Sequence, residues 1–335
     1  MIISRTPFRI SFFGGGTDYP VWYRENSGAV LGTTIDKYCY ITCRLLPPFF
    51  EHKYRVVYSQ VELVRDIEEI RHPAVREALK FMEINDGVEI HYDGDLPART
   101  GLGTSSSFTV GFLHSLYGYK GIMPSKMQLA KDAIYLEREV LKENVGSQDQ
   151  VLAAFGGFSR VDFSGEHNID IKPVVISEPR LESLQDHLML FFTGLSRTAS
   201  DVAGEQIKQT PAKKQELAKM LHMVDEAISI LTGDNDLSDF GKLLHENWQL
   251  KRSLTDKISV PYTDFLYETA INAGATGGKL LGAGGGGFML FFVKPELQSK
   301  VREALKGVQQ VPFRFDKAGS QIIFYEPDLP YRKQD

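Results

Sequence analysis

The segment Pro97-Ala98-Arg99-Thr100-Gly101-Leu102-Gly103-Thr104-Ser105-Ser106-Ser107 sets two glycines and a run of hydroxyls directly before an apolar-periodic stretch. A helix opening there offers first-turn N–H groups with no intrahelical partner, an anion site reinforced by the helix dipole. Gly101 and Gly103 let backbone approach an anion closely. The hydroxyls of Thr104 to Ser107 can cap the helix, donate to phosphate oxygens or serve as hard ligands to Mg2+. Alone, the pattern describes a plain helix cap equally well. A Walker A loop is excluded: no Gly-x4-Gly-Lys-Ser/Thr occurs, and the nearest match, at Gly278-Lys279, has Ala273 for the first glycine and Leu280 for the hydroxyl.

Three further segments carry chemistry. Arg9-Ile10-Ser11-Phe12-Phe13 runs into Gly14-Gly15-Gly16-Thr17-Asp18, a strand that ends in glycines and an acid and brings a permanent charge in Arg9. A hairpin with a solvated arginine is the alternative. Thr276 to Phe288 contains Gly-x-Gly-x-x-Gly, but an apolar strand follows where a dinucleotide fingerprint needs a helix, so the Rossmann reading fails. Such a glycine cluster favours close approach to a ligand or to the first glycine loop. Finally, Glu137 on a helical stretch and Asp149 in Gly146-Ser147-Gln148-Asp149-Gln150 allow two carboxylates to converge, one for metal and one for a proton; a solvated helix acid is the competing reading.

The elements that must position these groups alternate in the first half. Arg9 to Phe13, Val30 to Cys43, Tyr54 to Tyr58 and Val88 to Tyr92 read as strands, and 105–118 and 125–142 as helices with apolar residues three and four apart. Phe108, Phe112, Leu116 and Tyr119 share one helix face, and Leu129, Ala133, Leu136 and Val140 another. From Leu188 the pattern becomes a strand (His187 to Phe192), a helical tract from Ser200 to Lys251 broken at Pro211 and Gly233, and strands Phe288 to Val293 and Gln321 to Tyr325. This predicts an α+β chain of two domains, 1–180 and 181–335. With 335 residues, the chain exceeds the roughly 250–300 residues at which one core stops growing.

A net charge of −5 gives no electrostatic reason to expect nucleic acid or an anionic membrane as partner. No run of 18 uncharged apolar residues and no apolar leader after Met1 is present, so the cytoplasm is the expected location. Cys39 and Cys43 lie four apart in a predicted strand, about 13 Å and beyond disulfide reach, and read as packing residues.

Taken in order and spacing, the four segments resemble the GHMP small-molecule kinases, the family of galactokinase, homoserine kinase, mevalonate kinase and phosphomevalonate kinase. The likeness covers nearly the whole chain. It implies an N-terminal ribosomal-protein-like α/β domain and a C-terminal ferredoxin-like domain with the active site between them, ATP and Mg2+ as cofactors, and a small-molecule substrate; it leaves a homodimer open. By the resemblance, Pro97 opens the phosphate loop and Gly101, Leu102, Gly103, Thr104, Ser105 and Ser106 hold ATP. Ser105 and Glu137 become Mg2+ ligands, Asp149 faces the substrate hydroxyl, and Arg9 accompanies it. Gly15, Gly16, Thr17 and Asp18, with Gly284 and Gly285, face the substrate. Galactokinases carry Gly-Glu-His-Thr-Asp where this chain has Gly14-Gly15-Gly16-Thr17-Asp18. The lost acid and imidazole make room, and the exposed amides suit a sugar phosphate. Arg197 is the candidate for that second phosphate, with Lys251 and Arg252 behind it; each could equally be a surface cation.

Overall fold

The computed structural model describes residues 1–166, 168–195 and 199–327. Its first part runs β1 (Ile2–Phe13), α1 (Pro20–Asn26), β2 (Gly28–Leu45), β3 (Tyr54–Val57), β4 (Val61–Val64), α2 (Pro73–Phe81) and β5 (Val88–Gly94). Then follow α3 (Thr104–Tyr119), α4 (Lys126–Tyr135), a π-helical turn at Leu136–Val140, α5 (Gln148–Phe155), β6 (Ser159–Ser164), β7 (Asn168–Pro173) and α6 (Glu178–Asp186). The second part comprises β8 (Leu188–Phe192), α7 (Ala199–Gln209), α8 (Lys214–Thr232), α9 (Ser238–Arg252), α10 (Pro261–Asn272), β9 (Ala275–Leu280), β10 (Phe288–Val293) and α11 (Gln298–Ala304). Three short strands close the chain: β11 (Gln309–Gln310), β12 (Phe315–Asp316) and β13 (Gln321–Tyr325).

Two sheets result. The larger has the order β13-β1-β2-β5-β3-β4, with β6 and β12 also pairing β2 and β7 pairing β6; the smaller is β11-β8-β10-β9. The long β2 is shared: Cys39 to Leu45 pair β5, whereas Gly28 to Gly32 pair β6. The β1–β2 register slips between Pro7 and Phe8, where proline brings no ladder donor. The last strand, Gln321 to Tyr325, returns to pair with β1 rather than joining the second sheet.

Helix α3 lies against β1 with Phe112, Leu113 and Leu116 buried. Its Gly111 permits the contact, since a Cβ there would stand 2.7 Å from Thr6 Oγ1, and Ser4 Oγ donates to Gly111 O at 2.8 Å. The two parts meet along the end of β1. Phe12 and Phe13 both meet the Phe240 ring of α9 edge-on, at 5.5 and 5.2 Å. The Phe288 N–H, opening β10, donates to Thr100 O at 3.1 Å. That seam holds the glycine loops face to face. Cys39 and Cys43 are both buried. Among the described residues no helix is long and apolar enough to cross a membrane.

Candidate active site

The loop before α3 is shaped from within. Thr100 Oγ1 donates to Pro97 O at 2.8 Å, and the Arg99 N–H to Thr104 Oγ1 at 3.0 Å. Gly101 and Gly103 take φ of 85° and 71°. Gly103 is the residue that caps α3, in left-handed conformation and with no side-chain cap. The sequence suggested hydroxyl caps. Instead Thr104 serves Arg99, Ser106 serves Glu137 and Ser107 donates to Pro7 O, so among the described residues no side chain occupies the first-turn amides. The helix mouth therefore keeps the orphan N–H groups that bind anions.

Opposite this mouth lies Asp149, in the first turn of α5. Arg9, only 3% exposed, reaches it from β1 with Nε to Oδ1 and Nη2 to Oδ2, both at 2.7 Å. The remaining arm of the guanidinium, Nη1, donates to Gly101 O at 2.8 Å, and the Arg9 N–H to Leu102 O at 3.0 Å. A bidentate pair of this kind fixes the carboxylate plane. One arginine thus ties the carboxylate to the loop.

Asp18 is the second carboxylate of the cleft. Its Oδ1 accepts from the Gly16 N–H at 2.9 Å, and its carbonyl from the Ser147 N–H at 3.0 Å. Burial, abetted by nearby Asp149, raises its carboxyl above the ordinary value. Glu137 sits behind the loop rather than on its surface. It is buried in the π-helical turn, with Oε2 accepting from Ser106 Oγ at 2.9 Å and from the Gln150 amide. Its Oε1 has no hydrogen-bond partner among the described residues. Burial pushes its carboxyl up to about 7.

An orphaned, buried carboxylate oxygen beside a serine hydroxyl and a phosphate-type helix mouth fits a hard divalent cation. The hydroxyl bonded to Glu137 belongs to Ser106; Ser105, the expected ligand, is exposed on the cleft wall.

One cleft is lined by Arg9, Gly15, Gly16, Asp18, Gly101, Gly103, Thr104, Ser105, Ser106 and Asp149. The expected residues outside that lining have other work. Pro97 and Leu102 support the loop through their carbonyls. Thr17 holds Gly14 O and Ala29 O. Gly284 and Gly285 face Ile258: a Cβ on Gly284 would stand 2.7 Å from the Ile258 backbone, and the Gly285 N–H donates to Ile258 O. The glycine-rich loop instead presents Gly282 and Ala283 to the cleft. Thr17, Gly284 and Gly285, which the resemblance assigned to the substrate, thus lie outside the cleft lining. Arg197 lies outside the described residues. Lys251 lines the cleft, whereas Arg252 pairs with Asp264.

Sequence reasoning missed Ser11, Gln148, Gln206 and Lys279, all of which line the cleft. The one available signal for Lys279 was its place beside the glycine loop, weighed only as a failed phosphate motif.

A phosphate-type helix mouth facing an arginine-held carboxylate defines a phosphotransferase with an alcohol group as acceptor. The chain belongs to the GHMP kinases: residues 70–157 match the GHMP kinases N terminal domain and residues 223–309 the GHMP kinases C terminal domain. It is 28% identical over 95% of its length, and 97% of the relative's, to a D-glycero-alpha-D-manno-heptose 7-phosphate kinase of Campylobacter jejuni. It is also 22% identical, over 95% of its length and 97% of the relative's, to a galactokinase of Thermotoga neapolitana. Among solved structures, a D-glycero-D-manno-heptose 1-phosphate kinase from Bacteriodes thetaiotaomicron superposes with a TM-score of 0.72 at 23% identity, covering 96% of this chain and 98% of that one. The Lactococcus lactis galactokinase bound to galactose gives 0.71 at 18%, over 96% and 94%. Both share the two-domain GHMP kinase fold, and this chain is a sugar kinase of that family.

Proposed function

We propose that the protein transfers a phosphoryl group from ATP to the anomeric hydroxyl of D-glycero-D-manno-heptose 7-phosphate, giving the 1,7-bisphosphate for nucleotide-activated heptose. The observation that carries this reading is the Arg9–Asp149 pair, held at 2.7 Å opposite the uncapped mouth of α3. The named Campylobacter jejuni relative supports the substrate, as do Gly15 and Gly16, which leave backbone rather than side chains on the acceptor wall.

In this reading the loop amides from Gly101 to Ser106 cradle ATP phosphates, and Glu137 with the Ser105 and Ser106 hydroxyls would hold Mg2+. The cation would supply neutralisation of phosphate charge. Asp149 accepts the proton of the sugar hydroxyl as the new O–P bond forms, and Arg9 keeps the carboxylate aimed at it. Asp18 orders the Gly14–Asp18 turn against which the sugar rests. Phosphoryl transfer needs little covalent help from the protein, so positioning does most of the catalysis. The reaction suits the cytoplasm, where ATP is abundant.

An ATP-coupled assay over heptose 7-phosphate, fucose, galactose and mevalonate tests the proposal. The highest kcat/KM is expected with the heptose phosphate. A higher value with unphosphorylated fucose or galactose overturns the substrate, and ATP consumption with none of them points to a sugar-sensing role instead.

A further inference from the structure

Two lysines that line the same cleft are left unexplained by that chemistry. Lys251, in the last turn of α9, is 6% exposed, and Lys279, on β9, is 2% exposed; both line the cleft. Lys251 Nζ donates to Gly282 O at 2.5 Å. Lys279 Nζ donates to Ser11 O at 2.7 Å and to Phe12 O at 2.8 Å. An ammonium has three donors, so hydrogen-bonding capacity remains on each. Among the described residues neither amine forms an ion pair with a carboxylate, although buried charges ordinarily are paired.

A third group points the same way. Ser11 Oγ, on a residue only 6% exposed, lines the cleft and has no hydrogen-bond partner among the described residues. It stands 3.9 Å from where a Cβ on Gly15 would be, as does the Gln148 side-chain amide, which places it beside the glycine turn. A buried hydroxyl without a partner and two buried ammonium groups with donors still unfilled are costly unless a ligand completes them.

The charges around the pair specify that ligand. Facing Lys251 are Arg9 from β1, Asp18 from the following turn and Asp149 from α5; facing Lys279 are Lys251, Arg9 and Asp18. Of the two carboxylates, Asp149 is already gripped by Arg9 and Asp18 by the Gly16 amide. Burial, then the neighbouring cations, hold Lys251 down at about 8 and Lys279 well below the usual lysine range. An arriving anion reverses that penalty.

We propose that Ser11, Lys251 and Lys279 form a phosphoryl-binding subsite on the acceptor side of the cleft, an inference that rests on the kinase reading of this site. The phosphoryl group has two sources, the phosphate the sugar already carries and the group in transit from ATP.

Two calorimetric titrations separate them, with Lys251→Met and Ser11→Ala as variants and thermal unfolding as the check that each is folded. Inorganic phosphate titrated into protein saturated with Mg2+ and AMP-PNP probes the sugar's own phosphate. Fluoroaluminate titrated with Mg-ADP probes the group in transit. At least tenfold weakening in the variants is expected in one titration, and that titration names the source. Should Lys251→Met fail to fold, Ser11→Ala carries the test. Affinities equal to wild type in both titrations, or no binding by wild type in either, overturn the subsite. Neither titration contains heptose, so failure of the substrate panel leaves this result readable.

Discussion

Arg9 and Asp149 meet through two hydrogen bonds of 2.7 Å while the third arm of the same guanidinium holds Gly101 O at 2.8 Å. Asp149, the proposed proton acceptor, and the loop proposed to hold phosphate are therefore positioned by one rigid group. Asp149→Asn keeps an acceptor oxygen for Arg9 but cannot take a proton. Its kcat is expected to fall roughly 10²–10⁴-fold, the usual scale for one acid–base group, with KM for ATP nearly unchanged. Steady-state kinetics decide it; wild-type turnover in the variant removes the base role.

Glu137 sets a pH dependence of stability. Its carboxyl is raised by burial to about 7 from an ordinary 4.5, so the folded protein holds a proton that the unfolded chain releases. The corresponding stability is complete below about 4.5 and is lost as pH rises through 7 in metal-free protein. Glu137→Gln cannot ionise, so it should gain on wild type, by up to a few kcal/mol, between pH 5 and 8. Asp18 is raised too, but it is common to both proteins and cancels. Melting curves across that range measure the gap. A gap that does not change with pH rejects a burial-driven shift.

The parts of the site that were legible in the sequence are those whose chemistry is local. The hydroxyl-rich loop, the Gly146 to Gln150 turn and the face of α3 carrying Phe108, Phe112 and Leu116 are each written within a few turns of chain. Other features depend on phase or on distant partners. The π-helical turn at Leu136–Val140 resets the phase of its helix and delivers Glu137 to Ser106 rather than Ser105. Lys279 finds its acceptors, Ser11 and Phe12, 268 and 267 positions upstream, which no local pattern encodes. Within the glycine run, composition could not tell that Gly282 faces the cleft while Gly284 backs onto Ile258. The same holds for β13, whose alternation marks a strand without naming β1 as its neighbour.

Gly101 joins the two glycine loops. Its φ is 85°, and a Cβ there would stand 2.3 Å from Leu281 O, a backbone atom that cannot swing aside. Gly101→Ala should therefore cost about 1–3 kcal/mol of stability and raise KM for ATP. Gly103→Ala is the instructive companion. Its Cβ would meet the Arg9 side chain at 3.2 Å and Asp149 Oδ2 at 3.4 Å, so it should depress kcat through that pair more than it alters ATP affinity. Matching effects from the two substitutions on both constants would show that the loop responds as a whole, and not through these separate contacts.

Asp18 offers a test of whether a cleft carboxylate acts by charge or by geometry. Its Oδ1 accepts from Gly16 N–H at 2.9 Å, which orders the turn that forms the acceptor wall, and Gly146 leaves it room, since a Cβ there would fall 1.9 Å from Oδ2. If geometry is its role, an amide serves nearly as well as a carboxylate. Asp18→Asn should then leave KM for the sugar close to wild type, while Asp18→Ala strands a buried N–H. Stranding it costs roughly 1–3 kcal/mol, about 5- to 150-fold in KM. Gly146→Ala should resemble Asp18→Ala, because it displaces the carboxylate without removing it. KM for ATP should stay level in all three, since the hydrogen bonds of Asp18 run to Gly16 and Ser147 and not to the Gly101–Ser106 loop. Equal losses in Asp18→Asn and Asp18→Ala would assign the role to charge, with the carboxylate meeting the sugar hydroxyls directly.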